Sequence, residues 1–407
     1  MRNLSDLFSL TTFFVFYWTI FSLTFVENGI SWGKYNTDIT QYSYLFGVYC
    51  IAIITGSSIG KLTFNYIRPS TIDIDIDIKK YYLIIIIALT FCAIKIIALG
   101  TIPALSSDPT IRSTGNNLGG YIDYPARLIT LVSIISFTIY TYSGSKMHAA
   151  MAAIGVSINI LLVNRSELLL IIFACAAIWS HQRYASKPRL IFFLIALPTL
   201  ILLVISSLAI VRYGHDNLGA SLGIAELAAW VIHGDLTGAL SFGSYISDKL
   251  NDSYMYGRYC FGEYLSIFIP NFNSHGAEYL RDEYLPDKKT AQSVGSPFNY
   301  YIDFGWLGVT IFGIILGIVY NRLRNSYAGG QSVIGVFMFP IFFYQLMLST
   351  RNGIFPLNPI FLYFLAATIF ITPKNNGTKL RRYTLASIDL IFLLTVLVSI
   401  TAAVIRI

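Results

Sequence analysis

The feature that most constrains this chain is a succession of sparsely charged apolar runs, each about the twenty residues that a helix needs to span the hydrocarbon core of a bilayer. They lie near residues 7–27, 41–60, 81–99, 126–143, 147–163, 166–181 and 189–211, then 298–320, 331–349, 355–372 and 384–404. In lipid every backbone N–H and C=O must be paired within its own segment or in a closed barrel. These runs do not alternate strictly between apolar and polar residues, so they predict helices rather than barrel strands. The expectation is an all-α, polytopic integral membrane protein of about eleven transmembrane helices, forming a single transmembrane domain over residues 1–407. Composition agrees: only 12% of residues are charged and 55% are hydrophobic, whereas a soluble domain carries roughly 25% charged residues. The first run lacks a small-residue cleavage site and is expected to stay as the first helix.

The formal charge of +7 does not point to nucleic acid, because Lys and Arg stand in twos and threes between apolar blocks, where they set orientation. With the N-terminus inside, the cytoplasmic loops hold fifteen Lys and Arg against six on the opposite side, leaving out the longest loop. That asymmetry predicts a cytoplasmic N-terminus and a C-terminus on the other face. Three of the four cysteines, Cys50, Cys92 and Cys175, fall in apolar runs and Cys260 stands alone in a polar region, which argues against a disulfide framework. TIDIDIDIKK, residues 71–80, alternates with period two and reads as a short cytoplasmic connector.

One connection is unlike the others. Residues 212–297, about 86 positions between the seventh and eighth runs, face outward, and loops of that length usually carry function. SLGIAELAAWVIHG and YGRYCFGEYLSIFIP are apolar enough to dip into the membrane interface, and the remainder is polar. The expected form is a partly structured lid over the bilayer surface.

Walker, HExxH, CxxC, GxSxG and Rossmann signatures are missing from any confirming context, so no cofactor and no metal is expected. What stands out is a set of arginines on the outer side: Arg112, Arg127, Arg165, Arg212, Arg258, Arg281 and Arg351. Outward loops normally avoid positive charge, and a guanidinium grips phosphate oxygens bidentately at the depth of a lipid headgroup. Arg165, in VNRSELLLIIF, and Arg351, in LSTRNGIFPLNP, sit on very short turns at the bilayer face. Lys95, near the outer end of the third run, is expected to snorkel to the interface. Groups able to accept a proton on that side are His275, Glu278, Asp282, Glu283 and Glu263 in the loop and Asp303 at the start of the eighth run. Tyrosines crowd the same region, Tyr300 and Tyr301 among them, and aromatic rings both form interface belts and stack on sugars.

IPALSSDPTIR after the third run, NRSELLL opening the sixth, YGRYCFGEYLSIFIPNF in the long loop and SPFNYYIDFGWLGVTIFGIILG leading into the eighth resemble the Wzy-type O-antigen polymerases, or oligosaccharide repeat-unit polymerases. Two departures mark the likeness. Asn299 stands where many relatives carry an acid, and no long-spaced Arg-to-Gly pattern runs from Arg258 or Arg281. The resemblance implies a GT-C-like glycosyltransferase of the bacterial inner membrane that works without nucleotide sugar, cofactor or metal, its long loop periplasmic. Donor and acceptor would both be undecaprenyl-pyrophosphate-linked glycans, and undecaprenyl pyrophosphate would be released. Under it, Arg112, Arg165, Arg258, Arg281 and Arg351 would bind pyrophosphate, Tyr300 and Tyr301 would line the sugar path, and His275, Glu278 or Asp303 would take the acceptor proton. Membrane lipids and a chain-length regulator are the implied partners. An O-antigen ligase acting on lipid A-core and a lipid-linked repeat-unit flippase are the rival expectations.

Overall fold

A computed structural model describes residues 9–28, 39–63, 76–106, 111, 120–182, 238–250, 254–260, 276–284, 293–328, 333–352, 363, 366 and 367. These are helical apart from short connections. In chain order the helices are α1 (Leu10–Asn28), α2 (Ile39–Thr63), α3 (Ile78–Leu99), α4 (Gly120–Ser143), α5 (Lys146–Leu161), α6 (Arg165–Gln182), α7 (Gly238–Lys249), α8 (Gly276–Tyr284), α9 (Phe298–Ala328) and α10 (Val333–Asn352). Eight of the eleven apolar runs coincide with helices; 189–211 and 384–404 lie outside the described residues, as does nearly all of 355–372.

Among the described residues four helices are long and apolar enough to cross a membrane: Ser43–Leu62 within α2, Ile78–Leu99, Ile122–Ser143 within α4, and Phe298–Ala328. Their surfaces agree with an apolar surrounding. On α3, Ile78, Leu83, Ile86, Ile94 and Ile97 are exposed, Ile97 to 77%, whereas Lys95 is only 5% exposed. A helix in water would present the lysine and hide the isoleucines. The start of α3 is fixed locally, by Asp77, whose carboxylate accepts the Lys79 and Lys80 N–H groups, and its end by Gly100 in the left-handed conformation.

Two packing modes build the bundle. α2 and α9 run side by side through small residues: a Cβ added at Gly56 would fall 2.0 Å from the Ile314 carbonyl oxygen, and one at Gly317 would fall 2.1 Å from that of Ile53. Glycine at both positions lets the two backbones touch, the arrangement favoured where there is no hydrophobic drive between helices. Asn321 adds a polar tie, donating from Nδ2 to the Ser57 carbonyl at 2.9 Å. On the other side α3, α4, α5 and α6 pack in sequence order, each antiparallel to the next. Tyr81 bonds Ser136 at one end of the α3/α4 pair, and Lys95 meets Asp123 at the other.

α9 is interrupted at Gly305 (φ 61°, ψ −151°), so its first turn, 298–304, is set apart from the long helix that follows. The φ is one that only glycine adopts easily, and the Tyr254 ring lies where a Cβ would be. The long connection also holds an element that sequence patterning does not single out. α7 is buried along most of its length, with Gly243 against Phe298, and it packs on α9 and α10. Part of the expected surface lid is therefore core. Of its two apolar stretches, 221–234 lies outside the described residues, as does 256–270 from residue 261 on.

Candidate functional site

At the end of the bundle where α3 finishes and α4 and α6 begin, four charges from three helices form one chain of contacts. Lys95 Nζ pairs with Asp123 Oδ1; the other oxygen of Asp123 accepts from Arg127 Nε at 2.7 Å, and Arg127 Nη1 stands 3.9 Å from Glu167 Oε1. Tyr363 closes the chain, donating to Glu167 Oε2 at 2.6 Å. Lys95, Asp123 and Glu167 are each 5% exposed or less, and only Arg127, with 27% of its side chain exposed, reaches the surface of the cluster. Two cations and two anions balance, which is the condition for keeping charge in an apolar bundle. Lys95 thus does not snorkel: it is buried and paired with Asp123 on the neighbouring helix.

A second polar centre surrounds the first turn of α9. Asp303 is fully buried, and its carboxylate accepts the main-chain N–H groups of Tyr259 at 2.9 Å and Cys260 at 2.7 Å. The Asp303 carbonyl accepts from Tyr256 N–H, and the Ile302 carbonyl from Met255 N–H, both at 2.9 Å. Together these seat the turn 254–260 against α9. They also hold Tyr256 at a φ of 49°, a conformation that costs a non-glycine residue of order 1–3 kcal/mol unless its surroundings impose it. Tyr259 Oη accepts from Val294 N–H at 2.6 Å, carrying the clamp to residues 293–297. Burial and the neighbouring Asp303 carboxylate hold the Cys260 thiol well above its usual pKa range. On the outer side of the turn the Arg258 guanidinium lies over the Tyr279 ring of α8, 4.7 Å from its centre.

The two centres meet through α10. Ser296 N–H donates to the Ser349 carbonyl at 2.7 Å, Gly295 lies against Thr350, and Ser349 also bonds Tyr17 of α1. Arg351 follows directly in the last turn of α10 and is half-buried. Tyr344, about two turns earlier on α10, donates to the Ser166 carbonyl at 3.2 Å and lies within electrostatic reach of both Arg351 and Glu167. Arg127, Arg258, Arg351 and the first residue of α6, Arg165, therefore belong to one end of the bundle.

The sequence-based candidates distribute as follows. Tyr300 and Tyr301 flank Asp303 on the first turn of α9. Tyr300 is wholly buried, stacked on Phe312 at 4.9 Å, and Tyr301 meets Tyr254 and Trp306 edge to face. Arg258 sits on the turn that Asp303 holds. Arg112 and His275 lie outside the described residues, as do the side chains of Arg165, Glu278 and Arg281, whose backbones fall at the start of α6 and in α8. Asp123, Glu167 and Tyr363 are the site residues that the sequence reading left without a role. Their signal was available in part, since Asp123 and Arg127 are four apart and share one helix face. Among the described residues no three His, Cys, Asp or Glu side chains gather as metal ligands would. Comparison with protein-family models, with characterised proteins and with solved structures finds no match to this chain.

Proposed function

We propose that this chain is an O-antigen polymerase, a membrane glycosyltransferase of about eleven spans that joins undecaprenyl-pyrophosphate-linked repeat units on the outer face of a bacterial inner membrane. The observation that carries the reading is the gathering of Arg127, Arg258, Arg351 and the start of α6 at one end of an apolar bundle. Cations at that depth match a lipid pyrophosphate, whose phosphates lie at the headgroup level and whose negative charge grows as it leaves. Arg127 is pre-oriented by Asp123 and Glu167, so a ligand meets a guanidinium that is already fixed.

In this reaction an acceptor hydroxyl attacks the anomeric carbon of the donor glycan. The new glycosidic bond forms as the bond to pyrophosphate breaks, the hydroxyl proton passes to a base of the long loop, His275 or Glu278, and undecaprenyl pyrophosphate departs with the electron pair. Arginine supplies the compensating charge in place of a metal. Topology supports the same reading. α2 and α9 are parallel, and Gln182 and Gly238 lie at opposite ends of the bundle, as a crossing at 189–211 requires. In this reading, with the N-terminus cytoplasmic, the long connection and the arginines face the opposite side.

The test is reconstitution. Full-length protein in lipid nanodiscs, given a synthetic undecaprenyl-pyrophosphate-linked repeat unit, is expected to yield a ladder of products and free undecaprenyl pyrophosphate. Transfer only to added lipid A-core would make it a ligase, and movement of the substrate across a vesicle without lengthening would make it a flippase; either result overturns the proposal.

A further inference from the structure

We infer that Asp303 is a positioning residue, the anchor that holds the turn 254–260 so that Arg258, and through it α8, faces the lipid-linked substrate; the substrate part of this inference rests on the polymerase reading. Its carboxylate is engaged on both oxygens by main-chain N–H groups of Tyr259 and Cys260. It is fully buried beneath the turn rather than open to a sugar hydroxyl. A group so placed stabilises a backbone conformation; it does not reach a proton on a substrate. The turn it holds is unusual in three ways. Tyr256 is kept at positive φ, the Tyr254 ring is seated on the break at Gly305, and two further N–H bonds run to the carbonyls of residues 302 and 303. A strained backbone that so many contacts over-determine marks a functional element. The side chain it presents is Arg258, which stacks on Tyr279 of α8.

The same geometry supplies a reporter that does not depend on activity. Cys260 is fully buried, its Sγ 3.6 Å from the Asn299 carbonyl, and its own N–H is one of the two held by Asp303. Releasing the turn exposes the thiol.

The experiment compares wild type, Asp303→Asn and Arg258→Leu as full-length proteins in nanodiscs. Native-state maleimide labelling is mapped by mass spectrometry, with buried Cys92 as the internal control, alongside polymerisation kinetics across pH. Asn keeps the size of the side chain but sets an NH2 group against an N–H donor. Asp303→Asn is expected to label Cys260 about tenfold faster than wild type with Cys92 unchanged, and to raise the KM for lipid-linked substrate by about tenfold. Its kcat should stay within about threefold of wild type and its pH profile should not move. Arg258→Leu should reproduce the rise in KM while Cys260 stays protected. A fall in kcat of about a hundredfold or more, with KM and Cys260 labelling unchanged, would make Asp303 a proton-transfer group and overturn the inference. So would a Cys260 that stays protected in Asp303→Asn, or an Arg258→Leu protein with wild-type KM. If wild type makes no ladder, the polymerase reading and the substrate role fall together, and the labelling result still decides whether Asp303 anchors the turn.

Discussion

The α2/α9 seam and the α3/α4/α6 seam solve the same problem with opposite chemistry. In the first, glycines let two backbones touch, and a neutral amide on a carbonyl and a hydroxyl adds a polar tie. In the second, four charges are threaded between helices, with Tyr363 closing the chain. Apolar surroundings offer no hydrophobic gain for bringing helices together, so contact comes either from close packing or from polar groups that have nowhere better to go. The difference is in what each seam leaves available. Backbone contact is finished once formed, whereas the ionic seam ends in Arg127, partly exposed at the end of the bundle to which Arg258 and Arg351 also belong.

Breaking the ionic seam should have the larger effect. Asp123→Ala leaves Lys95 without its partner and Arg127 with only the longer contact to Glu167, and truncating one member of a buried pair typically costs about 3–5 kcal/mol. Chemical unfolding in detergent micelles would measure it, and Lys95→Met combined with Asp123→Leu should recover part of the loss. Gly317→Leu attacks the other seam by driving a side chain into the Ile53 carbonyl, with an expected loss of about 3 kcal/mol by the same assay. Tyr363→Phe removes the hydroxyl that satisfies Glu167, an effect of about 1–3 kcal/mol for a hydrogen bond to a charged group. Asn321→Leu, which removes a neutral interhelical bond, should cost only about 0.6 kcal/mol. If Asn321→Leu proved worse than Asp123→Ala, the contrast between the two seams would be wrong.

Much of the bundle was legible because lipid reduces the problem to run length. α1 to α6, α9 and α10 all coincide with apolar runs, since a segment without internal partners for its backbone has only one way to satisfy it. The same simplicity hides partners. Lys95 reads in isolation as a snorkelling lysine. Its pairing with Asp123 depends on α3 and α4 being antiparallel neighbours, and the apolar run that marks α4 begins three residues after the aspartate. Glycines four apart at Gly56 and Gly60, and again at Gly313 and Gly317, were visible in the sequence, but which helices they join is a tertiary fact. α7 escaped for a different reason: GALSFGSYISDK mixes small, polar and apolar residues, so neither hydropathy nor charge marks a helix that is buried by its neighbours. Asp303 illustrates the limit for chemistry. Its position suggested an outward-facing base, and only the backbone of a turn more than forty residues earlier in the chain reveals what its oxygens hold.

The most direct test of the account is the affinity of the purified protein in nanodiscs for undecaprenyl pyrophosphate. Saturable binding that weakens about tenfold or more in Arg351→Gln, as expected for loss of a charge-assisted contact to phosphate, and similarly in Arg258→Gln, is the predicted result. Binding that never saturates, or that both substitutions leave unchanged, would contradict it.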